Sequence, residues 1–152
     1  MPPEPSRTLP TDRSSWMGLL ARASAARLAA LMPGALPGHA LLRPPETGAV
    51  MVRGRIGGKG APFNLGEMTV TRCSLRLVTG EVGHAHVQGR DRAHALRAAI
   101  VDALMQGPSA EALRKRVLEP LAAEEAARRS ARAARAARTK VEFFTLVRGE
   151  DA

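Results

Sequence analysis

The chain has 152 residues and one cysteine, Cys73, so it forms no internal disulfide, and a free thiol fits a reducing compartment. Aromatic residues make up only 3 %, which leaves Leu, Val, Ala and Met to build the core. No apolar run approaches the ~18 residues of a membrane span, and the opening MPPEPSRTLPTDR lacks the charged-then-apolar order of a secretion signal. A soluble, cytoplasmic protein is expected. Catalytic signatures are also missing: there is no G-x-S-x-G, no H-E-x-x-H, and no pair of carboxylates set for acid and base work. The isolated chain is therefore not expected to be catalytic.

What the chain has is arginine. Of 23 basic residues only Lys59, Lys115 and Lys140 are lysine, and the net charge is +9. The joint excess of Arg and Ala matches what a GC-rich genome imposes, so it argues only weakly for binding. The positive potential nonetheless attracts phosphates, nucleic acid, anionic lipid or acidic protein surfaces. With 45 % hydrophobic residues the chain can close one modest core.

Residues 1–10 are proline-rich and expected to be disordered, leaving 11–152 as a single domain. From Asp12, Trp16, Leu19, Leu20, Ala23, Leu28 and Leu31 follow helical spacing, with Asp12 or Ser14 as cap and Pro33-Gly34 as terminator. Pro44-Pro45 is expected to force a turn, after which Gly48 to Ile56 alternates as a strand. Met68 to Val78 alternates again, and a two-residue turn at Thr79-Gly80 makes a hairpin in which Val78 pairs with Glu81. That register sets Leu77 against Val82, Leu75 against His84 and Cys73 against His86 on one face, with Arg72, Ser74 and Arg76 on the other. Asp91 caps a helix with Leu96, Ile100, Ala103 and Leu104 as its buried stripe. Gly107-Pro108 breaks that helix, Ser109 caps another, and Pro120 begins or kinks a third that runs to about Thr139. The β-like tail Val141–Val147 carries two of the three phenylalanines, Phe143 and Phe144, so with Arg148 it is a candidate for docking on its own sheet or on another chain. The fold class is α+β: an N-terminal helix, an antiparallel sheet with the hairpin at Val78-Glu81, two to three C-terminal helices and an extended tail.

Four constellations invite chemistry. The glycines Gly57, Gly58 and Gly60 around Lys59 fail the nucleotide-loop pattern, because Arg53 replaces its first glycine and Gly60 its Ser or Thr, so they read as a connection between strands with positive-φ positions. Cys73, His84 and His86 could hold a soft metal under the expected register, but nothing supplies a second shell, and a sheet face under a helix or an interface is the preferred reading. Arg90, Asp91 and His94 at a helix start, with Arg72 and Arg76 on the nearby strand, offer an anion site. Its plain alternative is a filled cap with solvated arginines. Arg128, Arg132, Arg135 and Arg138 form a basic helical stripe behind Glu124 and Glu125, which suit the helix dipole. The stripe lacks the interleaved aromatics of a single-strand binder, so a nucleic-acid-binding protein is the second-ranked reading.

Several stretches together resemble one family. Arg13-x-x-Trp16-Met17, Glu46-Thr47-Gly48, Arg55-x-Gly57-Gly58-x-Gly60-x-x-Phe63-Asn64-Leu65-Gly66-Glu67, Thr69-Val70-Thr71-Arg72, Val87-x-Gly89-Arg90-Asp91, Asp102-Ala103-Leu104 and Val141-Glu-Phe-Phe-Thr-x-Val-Arg148-Gly149 are similar, in order, to the G subunit of the bacterial carbon-phosphorus lyase system, PhnG. The resemblance implies alkylphosphonate catabolism in a core complex of G, H, I and J subunits with K and L proteins associated. In that family G, H, I and L displace adenine from ATP by methylphosphonate, giving α-D-ribose 1-methylphosphonate 5-triphosphate. The later bond cleavage, with its iron-sulfur cluster and S-adenosylmethionine, belongs to J, and no cofactor is expected on this chain. The resemblance supplies no catalytic residue. It makes Lys59, Arg72, Arg90 and the glycine loop candidates for a subunit interface facing an anion.

Overall fold

The computed structural model describes residues 12–139. The segment expected to be disordered and the tail with Phe143, Phe144 and Arg148 lie outside the described residues. In order the elements are α1 (Arg13–Arg22), α2 (Ala25–Leu31), β1 (His39–Arg55), a 3₁₀ turn (Ile56–Gly58), β2 (Pro62–Leu77), β3 (Val82–Gln88), α3 (Arg92–Leu104), α4 (Ala110–Leu113), a π-helical turn (Arg114–Leu118) and α5 (Glu119–Ala137). The fold is α+β, with the three strands in an antiparallel sheet ordered β1-β2-β3.

The N-terminal run is two helices, not one. Asp12 caps the first by accepting from the Ser15 N–H, but Ser24 takes an extended conformation and its hydroxyl accepts from the Arg27 N–H, so α2 starts afresh. The carbonyls freed at the end of α1 need partners, and His94 supplies one: its Nε2 lies 3.0 Å from the Leu20 carbonyl and donates to it. Pro44 and Pro45 do not turn the chain. They sit inside β1, an edge strand, where register shifts flank them, and a proline without an N–H is tolerated there.

The core lies between the sheet and α3, with α1 and the α4–α5 helical run alongside. Scarce aromatics are answered by close approach. Ala95, Ala98, Ala99 and Ala103 of α3 are all buried, and Ala99 and Ala103 meet the sheet at Gly83. A Cβ on Gly83 would stand 1.9 Å from the Ala99 carbonyl oxygen, so only glycine fits. The stripe expected on α3 is broader than Leu96, Ile100, Ala103 and Leu104: Leu96 and Leu104 are half-buried, while Val101 and Asp102 are buried.

The β2–β3 turn has three residues, Val78-Thr79-Gly80, with Gly80 at φ +109°. Leu77 donates to the Glu81 carbonyl at 2.9 Å, and Cys73 pairs with Ala85, Ser74 with His84 and Arg72 with His86. The two-residue turn is thus corrected by one position, and a one-residue slip exchanges the faces of a strand. Cys73, Leu75, Leu77, Ala85 and Val87 go to the core, and His84 and His86 come out beside the arginines.

A basic sheet face and a projecting arm

Helices cover one face of the sheet. The other presents Arg72, Arg76, His84 and His86, all exposed, with Arg72 paired between Glu46 and His86 and Ser74 between Arg43 and His84. Glu46 lies 3.4 Å from Arg72 and 3.6 Å from Arg43, a weak exposed network that leaves a net positive surface. His84 Nδ1 is 2.8 Å from the Ser74 hydroxyl. Among the described residues no carboxylate bonds its other ring nitrogen, so the pair lacks the third group that orients a catalytic base.

The corrected register dissolves the metal candidate. Cys73 is buried on the core face, where burial pushes its thiol pKa up, whereas His84 and His86 face outward. Among the described residues no group of three His, Cys, Asp or Glu could hold a metal ion. The helix-start anion candidate splits in the same way. Asp91 fills the α3 cap, accepting from the His94 N–H at 2.9 Å, and Arg90 is exposed, but the His94 ring is buried against Leu20 and is removed from any surface site.

Lys59 and the glycines stand at the tip of a long hairpin. Gly57 (φ +59°) and Gly58 (φ +79°) occupy the positive-φ positions expected of a connection between strands. Beyond Val70 the sheet has only β1 and β2, because β3 ends at Gln88. This two-stranded arm exposes Met51, Ile56, Phe63 and Leu65 at 57 %, 67 %, 41 % and 66 %. Arg53 and Arg55, with Gly54, Gly58 and Pro62, border an open depression of about 470 Å³ at its end.

A second basic cleft, about 350 Å³, is lined by Arg22, Gln88, Glu125, Arg128, Arg129 and Arg132. Glu124 and Glu125 stand in the middle of a helical run and not at its front, and they anchor it to the N-terminal helices. Arg27 pairs with Glu124, and Arg22 Nε is 2.8 Å from Glu125, a contact that with the Arg129 and Arg128 charges holds the Glu125 carboxyl below its usual range. Arg128, Arg132, Arg135 and Arg138 are exposed.

No motif or periodicity in the sequence marks a role for Asp102. It is wholly buried and accepts four hydrogen bonds: from Arg13 Nε (3.1 Å) and Nη2 (2.7 Å), Trp16 Nε1 (2.9 Å) and the His84 backbone N–H (2.8 Å). The bond to Asp102 raises the Arg13 pKa further, and one carboxylate ties α1, α3 and β3 together. Thr71 does a similar job across the sheet, donating to the Gly89 carbonyl at 2.7 Å beside the Thr47 hydroxyl at 3.3 Å.

These contacts join stretches far apart in sequence: Arg13 and Trp16 with Asp102, Glu46 and Thr47 with Thr71 and Arg72, and Thr71 with Gly89. They are the stretches that carried the family resemblance. The family model for the phosphonate metabolism protein PhnG matches residues 11–149. The chain belongs to the PhnG family. A relative from Rhizobium meliloti (strain 1021), the alpha-D-ribose 1-methylphosphonate 5-triphosphate synthase subunit PhnG, is 51 % identical over 146 residues, 92 % of this chain and 91 % of the relative. No helix among the described residues is long and apolar enough to cross a membrane.

Proposed function

We propose that this chain is the G subunit of an α-D-ribose 1-alkylphosphonate 5-triphosphate synthase, acting with the H, I and L proteins while adenine is displaced from ATP by methylphosphonate. Its companions in a cytoplasmic core complex are the H, I and J subunits, with K and L associated. The observation that carries this reading is the 51 % identity to a named synthase subunit along 92 % of the chain. A sheet with one uncovered basic face and an apolar arm suits a chain that works inside an assembly.

Both reactants are polyanions. Two like unit charges 4 Å apart repel by about 4 kcal/mol at an effective dielectric of 20, and arginines inside a closed interface offset that repulsion where it is least screened. Arg72 on the open face, Arg90 beside the α3 start and Lys59 at the arm tip supply such charge, either to the anion or to the subunit that holds it. Phe143, Phe144 and Arg148, by their sequence pattern, dock the tail on a companion. The test is adenine release from ATP and methylphosphonate by the co-expressed assembly. Arg72→Ala and Arg90→Ala are each expected to lower kcat/KM by roughly tenfold or more, the worth of one charge-assisted hydrogen bond. Unchanged assembly and turnover in both variants would refute the role.

A further inference from the structure

The arm is an odd thing to leave in water. An isolated two-stranded hairpin is at best marginally stable, and a free strand edge is a template for pairing with another chain. The last bond on the outer edge of β2 is from the Gly89 N–H to the Thr69 carbonyl. From Met68 back to Phe63 that edge has no strand beside it among the described residues, and it is lightly protected: it holds no proline after Pro62, a single charge, Glu67, and one register shift, at Leu65. The outer edge of β1, by contrast, is interrupted by Pro44 and Pro45 and their register shifts.

We propose that the β1–β2 arm is the docking element for an acidic companion subunit, one of whose strands adds to β2 along Phe63–Met68 while its apolar groove takes up Phe63 and Leu65, which share the Gly54 face of the arm, together with Ile56 at its tip. Charge selects this occupant. Arg53, Arg55 and Lys59 surround the tip, and no described carboxylate pairs with them; Arg55 only donates to the Gly60 carbonyl at 3.2 Å. A second copy of the chain, itself at +9, would set like charge against like. An acidic rim around an apolar groove matches both features at once.

The inference rests on the subunit reading, and its test separates the two. The chain is co-expressed with its companion subunits as wild type, as the triple variant Arg53→Glu, Arg55→Glu, Lys59→Glu, as Leu65→Asp, and as the control Arg135→Glu on the exposed face of α5. Assembly is read by size-exclusion chromatography with light scattering, and circular dichroism follows each isolated chain. Wild type and control are expected to assemble, and both arm variants are expected to lose at least tenfold of the incorporated chain while keeping the wild-type spectrum. Arm variants that assemble like wild type would overturn the proposal. So would an isolated wild-type dimer that Leu65→Asp dissociates, which would give the arm to a second copy. A wild-type chain that enters no assembly fails the subunit reading itself, before the arm is in question.

Discussion

Where β2 lies between β1 and β3, α3 lies on the sheet so closely that glycine at position 83 of β3 is obligatory and the small side chains Ala95, Ala98, Ala99 and Ala103 are buried. Where β2 runs on past the end of β3, it has one neighbour, and Phe63 and Leu65, large apolar side chains in a chain with three phenylalanines, face water. Covering each of them would contribute about 1.5–3 kcal/mol. One region spends small residues to close a core within the chain, and the other holds its large residues back. The first is closed within the chain, and the second is, on the proposed docking, completed by a partner.

The contrast breaks most readily at Asp102. Asp102→Ala leaves the buried Trp16 indole and His84 N–H without an acceptor, and is expected to cost about 3–5 kcal/mol, lowering Tm by roughly 10 °C in calorimetry of the isolated chain. Gly83→Ala forces α3 off the sheet and should cost about 1–3 kcal/mol by denaturant titration. On the arm the same assay should see almost nothing: Leu65→Ser and Ile56→Ser change isolated stability by no more than about 0.5 kcal/mol, so their effect appears only on assembly.

Cys73 sharpens the comparison by its inertness. A buried thiol with a raised pKa should resist a thiol reagent at pH 8 until the chain unfolds, at which point labelling becomes rapid; fast labelling of the native chain would mean that the sheet and α3 separate easily. The smallest effect is in acid. Because Arg22 and its neighbours lower the folded pKa of Glu125, that contact stabilises the chain fully above the ordinary value of 4.5 and is lost as pH falls through the lowered folded value. Urea midpoints should therefore fall more steeply below pH 4.5 for wild type than for Glu125→Gln.

Much of this architecture is legible in the sequence because it is local. The caps at Asp12 and Asp91, the positive φ of Gly57 and Gly58 and the place of the hairpin all follow from residue type and spacing. The hairpin register does not follow from the turn alone, since Thr79-Gly80 suits a two-residue turn and Val78-Thr79-Gly80 a three-residue one. The deciding signal is on the strands. Only the longer turn sets Gly83, Ala85 and Val87 opposite Leu75, Cys73 and Thr71 and sends both histidines outward. Asp102 is harder, because its side-chain partners lie 86 and 89 residues away and no periodicity connects them. The basic face was legible as a face, and its histidines were not, for the same one-residue reason.

Hydrogen exchange on the chain alone and inside the assembly tests the division most directly. The account predicts that amides of Phe63–Met68 exchange quickly in the isolated chain and become strongly protected on assembly, while those of Cys73, Leu75 and Leu77 are protected in both. An arm that stays fast in the assembled complex would contradict it.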